Sequence, residues 1–322
     1  MKKQLVASVC LLLLLCVLLS SCASGLPGYA LFKATQDTLS SFSVKIKGLL
    51  EDHTPLILDK TSAFSISLPN NCSAALRAAV DGLCAQILER TGVDLMLTNA
   101  EQSSGRILMG TADDALCEQL PAELNAANFY IGFCGKDLVI HATNDLMLVS
   151  ALHYFEQAYV TGKDACIGEG YLLLPDTLSF SSDTLLCNAD TFRFAKQGNA
   201  ELPSYAATLC TVLTSAIEYR IGIHFYPSLN TDSELYEQQK ELIVGKVSRS
   251  FTEPILSSLA DDEFYIGSNG TKVMILANSY PALNEAINLF LSTQLYADDA
   301  QYNRKEKSWS LPAYCHYYGR IC

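Results

Sequence analysis

FYIGFCGKDLVIHATNDLMLVSALHYFEQAYV, residues 129–160, aligns without a gap to FYIGSNGTKVMILANSYPALNEAINLFLSTQL, residues 264–295. At this offset of 135 residues, Phe129, Tyr130, Ile131, Gly132, Gly135, Ile140, Ala142, Leu148, Ala151 and Phe155 meet identical residues. Such self-similarity is the signature of a duplicated structural unit. Within the first copy, FYIGFC and DLVIHA flank a glycine-containing turn and read as a β-hairpin. Gly135 and Gly270 hold the turn position, where a positive φ is expected. Next, Leu148, Ala151, Leu152 and Phe155 recur at helical spacing, as do Leu283, Ile287 and Phe290 in the second copy, with Pro281 near the helix start.

The similarity continues outward in the same order. GRILMG (105–110) corresponds to KELIVG (240–245), and both read as short buried strands ended by glycine. GVDLML (92–97) corresponds to RIGIHF (220–225), residues 73–90 to 203–219, and AFSIS (63–67) to TFRFA (191–195). Downstream, YLLLP (171–175) corresponds to SWSLP (308–312). Leu76, Val80, Leu83 and Ile87 predict an inward helix face with Ser73 as its cap. Tyr205, Leu209, Val212 and Ala216 predict the equivalent face, with Pro203 in the first turn. Each copy is a strand-and-helix unit of ordinary domain size. The expected fold is therefore α/β (α+β), two tandem repeats of a mixed β-sheet covered by helices. The first repeat is placed at 56–180 and the second at 186–314 with a tail to 322; SSDTLLCNAD (181–190) is a short linker that brings the repeats into contact.

The amino terminus carries a different message. Lys2 and Lys3 precede an uncharged apolar run from Leu5 to Leu19, followed by Ser20 and Ser21. This is the order of a secretory signal over residues 1–21, too short to span a bilayer comfortably. Leu19-Ser20-Ser21-Cys22 resembles the lipobox of bacterial lipoproteins, which implies cleavage before Cys22 and acylation, palmitate included, of that cysteine. Each buried methylene contributes about 0.8 kcal/mol, so several chains anchor a protein durably. Residues 22–55 are read as tether. The expected location is the outer face of the bacterial cytoplasmic membrane, with the membrane as a partner through the lipid.

The repeated unit resembles the small zincin-like domain that precedes the catalytic barrel in family 20 β-hexosaminidases and in α-glucuronidases. The residues that carry this are Thr91-Gly92-Val93-Asp94-Leu95, the ILMG strand and the FYIG…GKDLVIHATND…ALHYFEQ segment. The second copy has Tyr219-Arg220 in place of Thr91-Gly92, a departure from the pattern. In those enzymes the catalytic carboxylates lie on the barrel, which takes about 250 residues, and no such length remains here. The resemblance implies a non-catalytic accessory module connected with glycans.

Net charge is −12, and loss of the signal removes Lys2 and Lys3 but no acid, giving −14. That argues against nucleic acid as a partner. Beyond Cys22 there are nine cysteines, an odd number, with none in CxxC spacing. Cys84 and Cys210 read as core fillers, and Cys315 and Cys322 are candidates for a local pair. His53, His141, His153, His224 and His316 form no recognised metal spacing, so neither metal nor cofactor is expected. Asp113-Asp114 and Asp261-Asp262 are adjacent acids near helix starts, which suits capping or solvated roles better than the opposed carboxylates of a glycosidase. No catalytic residue is assigned. One surface hypothesis remains in SWSLPAYCHYYGRIC (308–322), where Trp309 and Tyr314 are candidate glycan contacts, against the plainer expectation that they pack the terminal segment. The reading is thus a surface-tethered, non-catalytic lipoprotein that binds glycan or scaffolds an envelope partner. Two alternatives are a transporter's solute-binding lipoprotein and a glycoside hydrolase with an inter-domain site.

Overall fold

The FYIG hairpins set the frame in both halves of the chain. In the computed structural model they are β5 (Phe129–Cys134) with β6 (Asp137–Ala142), and β12 (Glu263–Asn269) with β13 (Lys272–Ala277). Gly135 and Gly270 turn them at φ 63° and 88°, a region in which a side chain would be strained. The structure describes residues 44–46, 53–57, 60–69, 72–95, 105–111, 120–160, 165–168, 173–175, 177–181, 186–190, 203–225, 240–247 and 249–321. The signal segment, Cys22, Asp113-Asp114 and the expected strand 191–195 lie outside them.

Further strands build each hairpin into a mixed sheet. β1 (Val44–Ile46), β3 (Ser65–Ser67), β4 (Arg106–Gly110) and β8 (Leu173–Pro175) join the first, in the order β1-β8-β5-β6-β4-β3. β10 (Leu186–Asp190), β11 (Glu241–Gly245) and β16 (Tyr314–Arg320) join the second, in the order β10-β11-β13-β12-β16. β3, β4 and β6 are mutually parallel, and β5 runs antiparallel to both β6 and β8. In the same positions β10, β11 and β13 are parallel, with β12 antiparallel to β13 and β16. The duplication read in the sequence is thus repeated in strand order and direction.

Three correspondences shift. Gly222 at φ 85°, and not Arg220, stands where Gly92 ends the first helix at φ 75°, so the second copy keeps that glycine. The strand beside β11 is β10, just upstream of TFRFA, and β10 occupies residues assigned to the linker. The counterpart of β8 is β16, whereas β15 (Ser308–Pro312) leaves the second sheet to pair with β9 (Thr177–Ser181) and β14 (Tyr302–Asn303). Residues assigned to the tether are also strands: β1 pairs with β8, and β2 (His53–Ile57) pairs with β7 (Ala165–Gly168).

Helices cover the sheets as the apolar spacing requires. α1 (Ala74–Thr91) is capped by Ser73, whose side chain accepts from the Leu76 amide, and it buries Leu76, Val80, Leu83 and Ile87. α2 (Asp145–Tyr159) packs beside α1 and over β5 and β6. In the second half α3 (Pro203–Ile221) lies beside α5 (Tyr280–Gln294), which covers β12 and β13; a short helix, α4 (Glu253–Ser258), precedes β12. The phase of α3 differs from the expectation. Leu209 faces inward as expected, but with Cys210, Leu213, Ile217 and Ile221, and Val212 is 46 % exposed. Two apolar stripes run along this helix, and the sheet selects the one containing Leu213. Among the described residues no helix is long and apolar enough to cross a membrane.

Candidate functional site

A dense grouping of titratable side chains lies where α2 of the first repeat docks on β16 of the second. β16 is an edge strand, so one side of its backbone is not paired within the sheet. α2 covers it. Ser150 accepts a hydrogen bond from the His316 amide at 3.0 Å and donates to the Leu146 carbonyl of its own helix at 2.7 Å. The docking explains why α2 buries Leu146, Met147, Val149 and Tyr154 in addition to the stripe that faces its own sheet.

Side chains complete the junction. The rings of His153 and His316 stack with centroids 3.5 Å apart and planes within 13°. His153 Nδ1 shares a hydrogen bond with the Tyr314 hydroxyl at 2.5 Å, and His316 Nδ1 shares one with the Tyr265 hydroxyl at 3.2 Å. Gly267 lies opposite His316 across the strand pair, and the Tyr265 ring folds over the place a Cβ would take there. That close approach accounts for the glycine of the second FYIG. Tyr314 in turn meets Phe129 and Tyr154 edge-on at 6.2 and 5.2 Å. A second link lies away from this cluster, where Gln294 at the end of α5 donates to the Ala126 carbonyl at 2.7 Å.

Burial sets the protonation of this cluster. It brings His153 down to about 4. It holds His316 well below the ordinary imidazole value, and the neighbouring His153 adds to that. Both imidazoles are therefore neutral near pH 7 and act as hydrogen-bond partners. Burial also raises Tyr265 and Tyr314 well above the ordinary phenol value and pushes the Cys315 thiol up to about 12, despite its bond to Ser150. A thiol so protonated is a poor nucleophile. A general acid or base working at neutral pH needs a pKa near 7, and these groups are displaced from it in both directions. The junction holds elements together; it does not present reactive groups.

No protein-family model and no curated protein matches the chain. Among solved structures it is similar to a Streptomyces plicatus β-hexosaminidase variant in complex with its product N-acetylglucosamine, at 12 % identity and TM-score 0.29 over 63 % of this chain and 32 % of that one. The β-N-acetylhexosaminidase of Streptomyces coelicolor gives 13 % identity and TM-score 0.29 over 63 % and 33 %. The exo-β-N-acetylglucosaminidase of Vibrio harveyi gives 7 % and 0.29 over 63 % and 24 %. The chain thus spans a third or less of the length of these enzymes.

The residues singled out from sequence fall as follows. Trp309 is 0 % exposed; its indole N–H donates to the Gln294 carbonyl at 3.2 Å and its ring meets Phe290 edge-on at 5.7 Å. Tyr314 is 2 % exposed, within the junction. Neither offers a ring face to a sugar from solution, so the glycan-contact assignment gives way to packing of the terminal segment. Asp262 pairs on the surface with Arg320 at 3.3 Å, in keeping with a solvated acid. Cys315 forms no disulfide, which excludes a bridge to Cys322; Cys72, Cys84 and Cys210 are not disulfide-bonded either, while Cys134 is. Cys22 lies outside the described residues. Sequence spacing missed the pairing of His153 with His316, 163 positions apart. Its one outward sign was that α2 is apolar on more than the face its own sheet requires.

Proposed function

We propose that this chain is a lipoprotein held through Cys22 on the outer face of a bacterial cytoplasmic membrane. Its two repeats, the first extended by β1 and β2 and the second by β16, form one non-catalytic body that binds glycan or scaffolds an envelope partner. The observation that carries the non-catalytic part is the α2–β16 junction, where His153, His316, Tyr265, Tyr314 and Cys315 are used to join the repeats and are displaced from the protonation range of catalysis. The lipobox supports the anchor, and the disulfide at Cys134 suits an oxidising compartment outside the cytoplasm. The resemblance of each repeat to a glycosidase accessory module supports the glycan partner. Against a solute-binding lipoprotein, the strands of the first sheet all precede those of the second, although β9 at 177–181 does cross to pair with β15.

The anchor is tested by growing a bacterial host with labelled palmitate. The wild-type chain should carry label and sediment with membranes, and Cys22→Ser should lose both; label retained by the variant would sink the assignment. The partner is tested by a glycan array probed with the purified full-length chain, for which retention is expected. Release of chromophore from an aryl glycoside, abolished by one carboxylate substitution, would replace this reading by an enzymatic one.

A further inference from the structure

With the positive-φ helix ends Gly92 and Gly222 matched, Arg90 and Arg220 share one position, which the two repeats treat differently. Arg90 and Arg220 each lie in the last turn of the first helix of their repeat. In the first repeat Arg90 is fully engaged: it donates to Glu156 at 2.9 Å and to the Val160 carbonyl at 2.5 Å, tying α1 to the end of α2. In the second repeat Leu291 and Leu295 stand at the places of Glu156 and Val160, so the carboxylate is gone. Arg220 lies instead against two tyrosine rings, 5.3 Å from the centroid of Tyr302 and 5.9 Å from that of Tyr296. Its Nε is buried and has no hydrogen-bond partner. The short turn that joins the two tyrosines holds a second orphan, a buried Oδ2 of Asp299. An unpartnered buried polar atom costs about 1–3 kcal/mol, so two in one region call for a cause.

The setting is open to solvent. Tyr296 is 48 % exposed, and Tyr219, the residue before Arg220, is 78 % exposed. Lys307 lies beside Gly222, two residues beyond Arg220, where the Lys307 Cγ would be 3.7 Å from an added Cβ. Arg220 and Lys307 thus put two cations beside a turn that also carries the carboxylates Asp298 and Asp299.

We propose that Arg220, with Tyr296 and Tyr302, forms a binding site for a carboxylate-bearing saccharide. The guanidinium fork matches a carboxylate in two parallel hydrogen bonds, and an arginine held on aromatic faces is preorganised to make them. Tyrosine rings offer a flat apolar surface with a polar edge, which fits the CH face and hydroxyl rim of a pyranose. An acidic peptide needs only the cation and would leave the paired rings without a purpose. The inference rests on the glycan-binding part of the proposed function and supplies its ligand class.

Calorimetric titration of the full-length chain with oligogalacturonate, a neutral oligogalactose of equal length, oligoglutamate and acetate tests it. Oligogalacturonate should bind, the other three at least tenfold more weakly. Arg220→Gln should weaken binding of oligogalacturonate at least tenfold. Arg220→Lys, which keeps a cation by the rings but loses the fork, should weaken it nearly as much while leaving the melting temperature close to wild type. Tyr302→Ala should weaken it several-fold. Equal binding of oligoglutamate would overturn the saccharide class. Binding of the neutral oligomer, unaffected by Arg220→Gln, would overturn the site while leaving glycan binding in place. If no saccharide here or on the array is retained, the glycan-binding reading falls and the inference falls with it.

Discussion

Arg106 and Glu241 open equivalent strands of the two repeats, and they carry opposite charges. Arg106 pairs with Asp137 at 2.7 Å, and Asp137 also accepts from the Arg106 amide, which holds its carboxyl below the usual range despite burial. At the same places the second repeat has Glu241 and Lys272, 3.5 Å apart, with Arg249 added at 2.6 Å from Glu241. The reversal keeps the pair while changing both members, which is why an identity count across the repeats overlooks it. Burial differs too: Arg106 keeps 29 % side-chain exposure, whereas Glu241 and Arg249 have none. Removing one partner of a buried ion pair leaves an uncompensated charge and typically costs about 3–5 kcal/mol. Glu241→Gln, which strands Arg249 and Lys272 together, is expected to lose stability on that scale. Breaking the more exposed pair by Arg106→Ala should cost about 1 kcal/mol or less through the lost ion pair. Urea denaturation of both variants checks the order; similar losses would show that burial is not what separates the two sites.

At the scale of single elements, much of the fold was legible because each hairpin and helix satisfies a local rule. Ser73 caps α1, Gly135 and Gly270 turn the hairpins, and Leu148, Ala151, Leu152 and Phe155 face the first sheet as their spacing requires. What failed locally were elements with two plausible faces. On α3 Leu209 continues into two apolar rows, through Val212 and Ala216 or through Leu213 and Ile217, and only the partner sheet decides between them. On α2 the surplus apolar residues signalled a second partner without naming it, and β16 lies far along the chain. The candidate site was hardly legible for the same reason, because His153 and His316 meet only through docking. That docking has a pH signature. Unfolded imidazoles take up protons from about pH 6.5, whereas folded His153 resists until about 4. The unfolded chain therefore binds more protons through this window, and stability falls as pH drops from 6.5 toward 4. Facing the pair are Tyr265 from β12, Tyr314, Cys315 and Tyr318 from β16, and Ser150 from α2, none of which gains charge in that window; Glu156, raised by burial but lowered by Arg90, acts on Tyr314. His153→Gln should flatten the decline of the urea midpoint between pH 6.5 and 4.5 relative to wild type. Parallel declines in the two proteins would remove the imidazole pair as its source.

For the molecule as a whole, the question is whether two sheets of matching topology behave as two domains or as one. Phe42–Cys322 form a single compact unit, and the links between repeats come from both sides: Ser150 and His153 reach from α2 to β16, while Gln294 reaches from α5 to Ala126. β9, which follows the first sheet in sequence, pairs with β15 near the end of the chain. Melting either half alone would expose the second apolar face of α2 and return Ser150, His153 and the β16 edge to water. The cost of losing that interface couples the halves. Differential scanning calorimetry should therefore give one transition, with calorimetric and van't Hoff enthalpies in agreement. Ser150→Arg provides the contrast, because a long cation replaces a hydroxyl that is fully buried between the helix and the edge strand. It cannot be paired there, and a buried unpaired charge is strongly unfavourable. The cheapest relief is for α2 to lift off β16 while each sheet keeps its own helices, so the variant should melt in two resolved steps. Two steps already present in the wild type would mean that the repeats are joined by the chain and not by their packing.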